Sequence, residues 1–118
     1  MNYKKLIYLA SPYSHPDPDV LIARVAAVQR ATARFIEQGH LVFSPIVHSD
    51  PIANLVAFSP INHAEGELSG WMAYDFGFID KCDAVWVLTI DGWDQSWGVR
   101  AEIEYAERTG KPVEYVHG

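Results

Sequence analysis

Short apolar runs rich in β-formers alternate along this chain with stretches whose apolar residues recur at helical intervals, and that alternation restricts the fold more than any other feature. "KLIYLAS" (5–11) suits a buried parallel strand and is followed at once by Pro12 and a polar loop. Leu21, Val25, Val28, Thr32 and Ile36 then recur at three- and four-residue spacing. They predict a helix from about Asp19 to Gln38 with one apolar stripe, stopped by Gly39. "HLVFSP" (40–45) is a second strand, ended by Ser44 and Pro45. The stretch from Pro45 to Ser69 is long for a loop in a compact domain, so a short helix around Ile52 to Phe58 and a lid role are expected there. Met72, Phe76 and Ile79 mark a second amphipathic helix, "DAVWVLTI" (83–90) a third strand, "GVRAEIEYAERTG" (98–110) a third helix and "PVEYV" (112–116) a fourth strand.

This order predicts a flavodoxin-like, doubly wound α/β domain over residues 1–118, its parallel sheet of four to five strands flanked by helices. Sites in such sheets lie beyond the carboxyl ends of the strands, where strand order reverses. Residues 11–15, 44–49 and 91–98 are therefore expected to meet.

The 118 residues suit one domain. A net charge of −6 offers no broad attraction to phosphate backbones or anionic membranes, so neither long nucleic acid nor a membrane is an expected partner. No apolar run approaches the roughly 20 residues of a membrane span. The start "MNYKKLIYLASPYS" lacks a signal peptide's cleavage region, and a cytoplasmic protein is expected. Cys82 is the only cysteine, which excludes an intrachain disulfide and a cysteine-based metal cluster. His15, His48 and His63 do not form a pair at the four-residue spacing of a helical zinc site. Neither metal nor cofactor is expected.

Two carboxylates stand out. In the third helix Val99, Ile103 and Ala106 share a face, and Glu102 falls roughly 60° from Val99, at the border of that stripe. Glu104 points to solvent and Glu107 is intermediate. Asp75 falls roughly 60° from Met72, at the border of the stripe made with Phe76 and Ile79. Two carboxylates at an apolar margin can have their pKa values pushed apart, so that one acts as nucleophile and the other as acid or base. Acidic residues near a helix start also suit the helix dipole without any chemistry, and spacing alone leaves both readings open.

"YLASPYS" at the first strand end, Asp75 followed by "DAV" (83–85), and "SWGVRAE" (96–102) running to Ala106 and "GKP" (110–112) resemble the nucleoside 2-deoxyribosyltransferase-like superfamily. Its members include deoxyribosyltransferases and 2′-deoxynucleoside 5′-monophosphate N-glycosidases. The additional "SPIVHS" and "GW" signatures resemble a small bacterial subgroup. The resemblance implies Glu102 as the nucleophile on the anomeric carbon, Asp75 as a residue that positions the substrate or moves the leaving-group proton, and Tyr8 as support for the nucleophile. It implies that Gly98 lets the backbone approach the ligand. Ser96 stands where the transferases have an aspartate and resembles the monophosphate hydrolases, where a serine contacts phosphate; a serine before a helix is also an ordinary N-cap.

Around this trio, Ser11, Ser14 and Ser96 with helix-start N–H groups, and Arg24, are candidate phosphate contacts. Turn and cap chemistry explains the serines equally well. Trp93, Trp97 and Tyr13 are candidates for stacking on a base, or for subunit contacts. His48, just past the second strand, and Asp91, at the third strand's end, are further substrate-binding candidates. The expected ligand is a nucleoside or nucleotide. The resemblance also implies a homo-oligomer with its pocket near the subunit interface. A binding module that lost turnover and an oligomeric scaffold are the alternatives; neither requires a carboxylate pair with a tyrosine.

Overall fold

The computed structural model describes residues 3, 5–56 and 70–118. Strand β1 (Leu6–Ala10) is buried on both faces and forms the middle of the sheet. Leu6, Ile7 and Tyr8 run parallel beside Leu41, Val42 and Phe43 of β2 (Leu41–Phe43). On the other side Ile7 to Ala10 run parallel beside residues 84–87 of β3 (Ala84–Leu88), which in turn pairs in parallel with β4 (Val113–Val116). The order is β2-β1-β3-β4, an all-parallel sheet with helices on both faces in the flavodoxin-like manner.

Alternation along β1 and β3 divides the core. Tyr8, Ala10, Val85 and Val87 face helices α3 (Gly70–Lys81) and α4 (Trp97–Arg108), where they pack with Met72, Phe76, Ile79, Val99 and Ala106. Leu9 and Leu88 face α1 (Pro18–Glu37), packing with Val28, Ala31 and Phe35. Fully buried aliphatic side chains such as Leu9, Leu88 and Ile79 each contribute about 1.5–3 kcal/mol by leaving water.

Helix α1 starts where Asp17 accepts the Asp19 N–H and Pro18 occupies the first turn. It stops at Gly39, whose φ of 92° suits a glycine. Its buried face runs through Val28, Ala31, Thr32 and Phe35, whereas Ile36 is 54% exposed. The predicted stripe drifts off by one residue there because successive four-residue steps overshoot a 3.6-residue turn.

The segment after β2 also differs from expectation. Ser44 and Pro45 do more than end a strand: the Ser44 hydroxyl accepts the Val47 N–H at 3.1 Å and Pro45 opens a short helix, α2 (Pro45–Ser49). A 3-10 helix (Asp50–Leu55) follows directly. The predicted helix around Ile52 to Phe58 is thus preceded by an unpredicted one, and only its first part is seen as 3-10 turn. Phe58, His63 and the rest of the expected lid, 57–69, lie outside the described residues. No helix among the described residues is long and apolar enough to cross a membrane.

Candidate active site

Strand order reverses between β1 and β3, and the carboxyl ends of these strands open into a cavity of about 460 Å³. That volume falls in the range of roughly 300–1,000 Å³ typical of small-molecule sites. Helix α4 delivers Glu102 to it. The Ser96 hydroxyl caps this helix by accepting the Val99 N–H at 3.2 Å. Val99, Glu102 and Ala106 then make its buried face. Glu102 is only 5% exposed, so it lies within the buried stripe and not at the border that helical spacing indicates. Ile103 is the residue displaced toward the margin.

A buried carboxylate is costly unless its charge finds partners. Tyr8, wholly buried at the middle of β1, donates its hydroxyl proton to Glu102 Oε2 across 94 residues of sequence. Asp75 reaches the same cavity from α3. Burial raises the Glu102 pKa well above the usual carboxylate range, the nearby Asp75 charge adds to the rise, and the Tyr8 hydrogen bond opposes it. Burial pushes Asp75 up to about 7. Burial, followed by the Glu102 and Asp75 charges, holds Tyr8 well above an ordinary phenol, so it remains a donor. The pair therefore retains a proton near neutrality; the Tyr8 hydrogen bond favours the Glu102 anion, whereas Asp75 Oδ1 is buried with no hydrogen-bond partner among the described residues.

Buried side-chain polar atoms are nearly always hydrogen-bonded. Among the described residues those without a partner are Ser11 Oγ, Arg24 Nε, Ser49 Oγ and Asp75 Oδ1, and every one belongs to a residue lining this cavity. The unsatisfied polar atoms thus gather around this one cavity.

Arg24 supplies the positive end. It extends from α1 and donates through Nη1 to the carbonyls of Ser14, at 2.9 Å, and Tyr13, at 3.5 Å, and among the described residues its charge has no carboxylate partner. Gly92, with φ of 91°, makes room for it: a Cβ there would lie 2.3 Å from Arg24 Nη2. A Gly92→Ala change is expected to cost about 1–2 kcal/mol from the left-handed backbone alone, and further to push the guanidinium out of its seat. Thermal melts in parent and Arg24→Ala backgrounds separate the two effects; an equal loss in both would show that the arginine does not occupy that space.

Of the substrate-binding candidates, Ser11, Tyr13, Ser14, Arg24, Ser96 and Gly98 line the cavity together with Glu102 and Asp75. A Cβ on Gly98 would meet nothing nearer than Ser96 Oγ at 3.8 Å and Met72 Cε at 3.9 Å, so the chain itself does not demand a glycine there. The Tyr13 hydroxyl donates to Asp50 Oδ1 at 2.8 Å, which fixes the ring at the cavity wall. His48, Asp91 and Trp93 are not brought to the cavity wall. His48 sits on the outer side of α2, its Nε2 at 3.1 Å from the Tyr74 hydroxyl and its ring parallel to that of Tyr74. Asp91 is exposed in the turn before Gly92. Trp93 packs against Tyr115 of β4, with ring centroids 5.4 Å apart. Trp97 lines the cavity, as do Ser49, Asp50, Trp71 and Gln95, which sequence reasoning did not single out. The Ser44-Pro45 capping signal is the clue to Ser49: a helix begun there carries Ser49 at its end, about 100° around from His48.

Among the described residues no three His, Cys, Asp or Glu side chains converge to hold a metal ion. No curated protein matches the chain. The family model described as Domain of unknown function (DUF1937) matches residues 5–117, nearly the whole chain, and the protein belongs to that family.

Proposed function

We propose that the protein cleaves the N-glycosidic bond of a nucleoside or nucleoside 5′-monophosphate with Glu102 as nucleophile, by hydrolysis in preference to base transfer. The observation that carries this reading is the buried Glu102 carboxyl, held by a phenol and sharing a cavity with a second carboxyl of raised pKa. A structural glutamate gains nothing from such a position; a nucleophile gains orientation and a dry environment.

Breaking the bond builds oxocarbenium-like charge on the sugar, which a carboxylate about 3 Å away stabilises and captures. Tyr8 holds Oε2, leaving Oε1 to bond C1′. As the C–N bond breaks, its electron pair goes to the base nitrogen, and protonated Asp75 supplies the proton. Water then attacks C1′ of the glycosyl ester, Asp75 takes the water's proton, and the sugar and free Glu102 are restored. Ser96 Oγ accepts from Val99 N–H, so its own proton is available to a ligand oxygen. With Ser11 and the unpaired Arg24 it supports a 5′-phosphate at that end of the cavity. A homo-oligomer that completes the pocket fits the exposure of Leu55 (81%) and Tyr74 (36%), which follow α2 and lie on α3.

The direct test is incubation with a panel of nucleosides and 5′-monophosphates, with released base measured by chromatography and a second free base added to detect exchange. Release from one or more substrates is expected, without a new nucleoside. Saturable binding with no release from any of them would replace this reading by that of a binding module.

A further inference from the structure

The wall formed by α2 and the 3-10 helix after it carries two polar side chains that the reaction above does not use, Ser49 and Asp50. Asp50 Oδ1 accepts the Tyr13 hydroxyl at 2.8 Å, and that phenol, its pKa pushed up to about 12 by burial and by the hydrogen bond itself, remains a donor. A carboxylate has about four acceptor directions, and among the described residues the Tyr13 hydroxyl fills one. Among the described residues no cation pairs with Asp50, and Ser49 Oγ beside it is buried without a partner. Both residues line the cavity, and the Asp50 carboxylate can only accept.

Charge distributes a ligand's groups across this cavity. An anionic end is repelled by Asp50 and attracted by Arg24, while the sugar carbon must meet Glu102. The heterocycle is the part left for the α2 wall, where Ile46 and Ala53 supply apolar contact. On the glycosidase reading, on which this step rests, we infer that Asp50, oriented by Tyr13 and flanked by Ser49, is a specificity-determining residue that accepts an N–H donor of the base and selects amino-bearing bases over their carbonyl counterparts. An exocyclic amine gives the carboxylate a donor; a carbonyl in the same place sets acceptor against acceptor and leaves both unpaired. Tyr13 acts through Asp50 and is a positioning residue.

The test uses full-length protein carrying Glu102→Gln, so that ligands are bound without turnover. It is titrated calorimetrically with the 2′-deoxynucleoside 5′-monophosphates of adenine, hypoxanthine, cytosine and uracil, two pairs differing by an amine replaced by a carbonyl. The amino member of at least one pair is expected to bind about 10-fold more tightly or better. Adding Asp50→Asn, whose amide both donates and accepts, is expected to narrow that ratio to within about 3-fold. Tyr13→Phe, which keeps the charge and loses the tether, should lower the ratio in the same direction, and carries the test should the asparagine variant fail to fold. Equal affinities within both pairs, tighter binding of the carbonyl members, or a preference that survives Asp50→Asn overturns the assignment of Asp50 while leaving the glycosidase reading intact. Failure of all four to bind overturns the assignment of Asp50, while release of base in the panel assay decides the glycosidase reading separately.

Discussion

Glu102→Gln is expected to lower kcat/KM for base release by about 1,000-fold or more, the scale on which loss of a covalent nucleophile is felt. Glutamine is nearly isosteric, and its amide oxygen can still accept the Tyr8 hydroxyl that now reaches Oε2. What disappears is the ability to bond C1′ and the negative charge that favours the oxocarbenium ion. Because the amide also removes a carboxyl that burial disfavours in its charged form, the melting temperature should hold or rise. A collapse of activity with an unchanged or higher melting temperature separates chemistry from folding. Glu104→Gln, two residues along the same helix on its exposed side, should leave both quantities unchanged. Retention of most activity by Glu102→Gln would end the nucleophile assignment.

Asp75→Asn should have a large effect of a different kind, one that depends on pH. With the folded pKa raised to about 7 from an ordinary 3.8, the native state binds the extra proton between those values. Stability therefore declines as pH rises from about 4 to about 7, and the full penalty is present above that. Asparagine has no charge to bury. The variant is expected to match the parent near pH 4 and to be more stable at pH 8 by on the order of 4 kcal/mol. Thermal melts at the two pH values check the sign; a variant less stable than the parent at pH 8 would mean that the ionised Asp75 is favourably paired in the folded protein. Base release should fall at pH 8 in the parent as Asp75 loses the proton it is assigned to deliver, and should fall at every pH in the variant.

The fold was legible because its main signals are local. An apolar strand run buried on both faces, a stripe at helical period and a glycine after it each act within a few residues, and parallel strands joined by helices leave few ways to assemble. Where local signals mislead, the same residues carry a second meaning: Ser44-Pro45 ends β2 and also caps α2, which leaves His48 exposed and brings Ser49 and Asp50 to the cavity.

By itself the sequence determined the four strands, the three long helices and the meeting of three loops at one sheet edge, since backbone periodicity and strand burial depend on local sterics and apolar spacing. Only the tertiary structure decided that Glu102 is enclosed and not marginal, that Tyr8 on a distant strand donates to it, that Tyr13 is tied to Asp50, and that the unpaired buried polar atoms gather around one cavity. Depth of burial and hydrogen-bond partnership are properties of packed neighbours far apart in the chain, and no spacing within a single element encodes them.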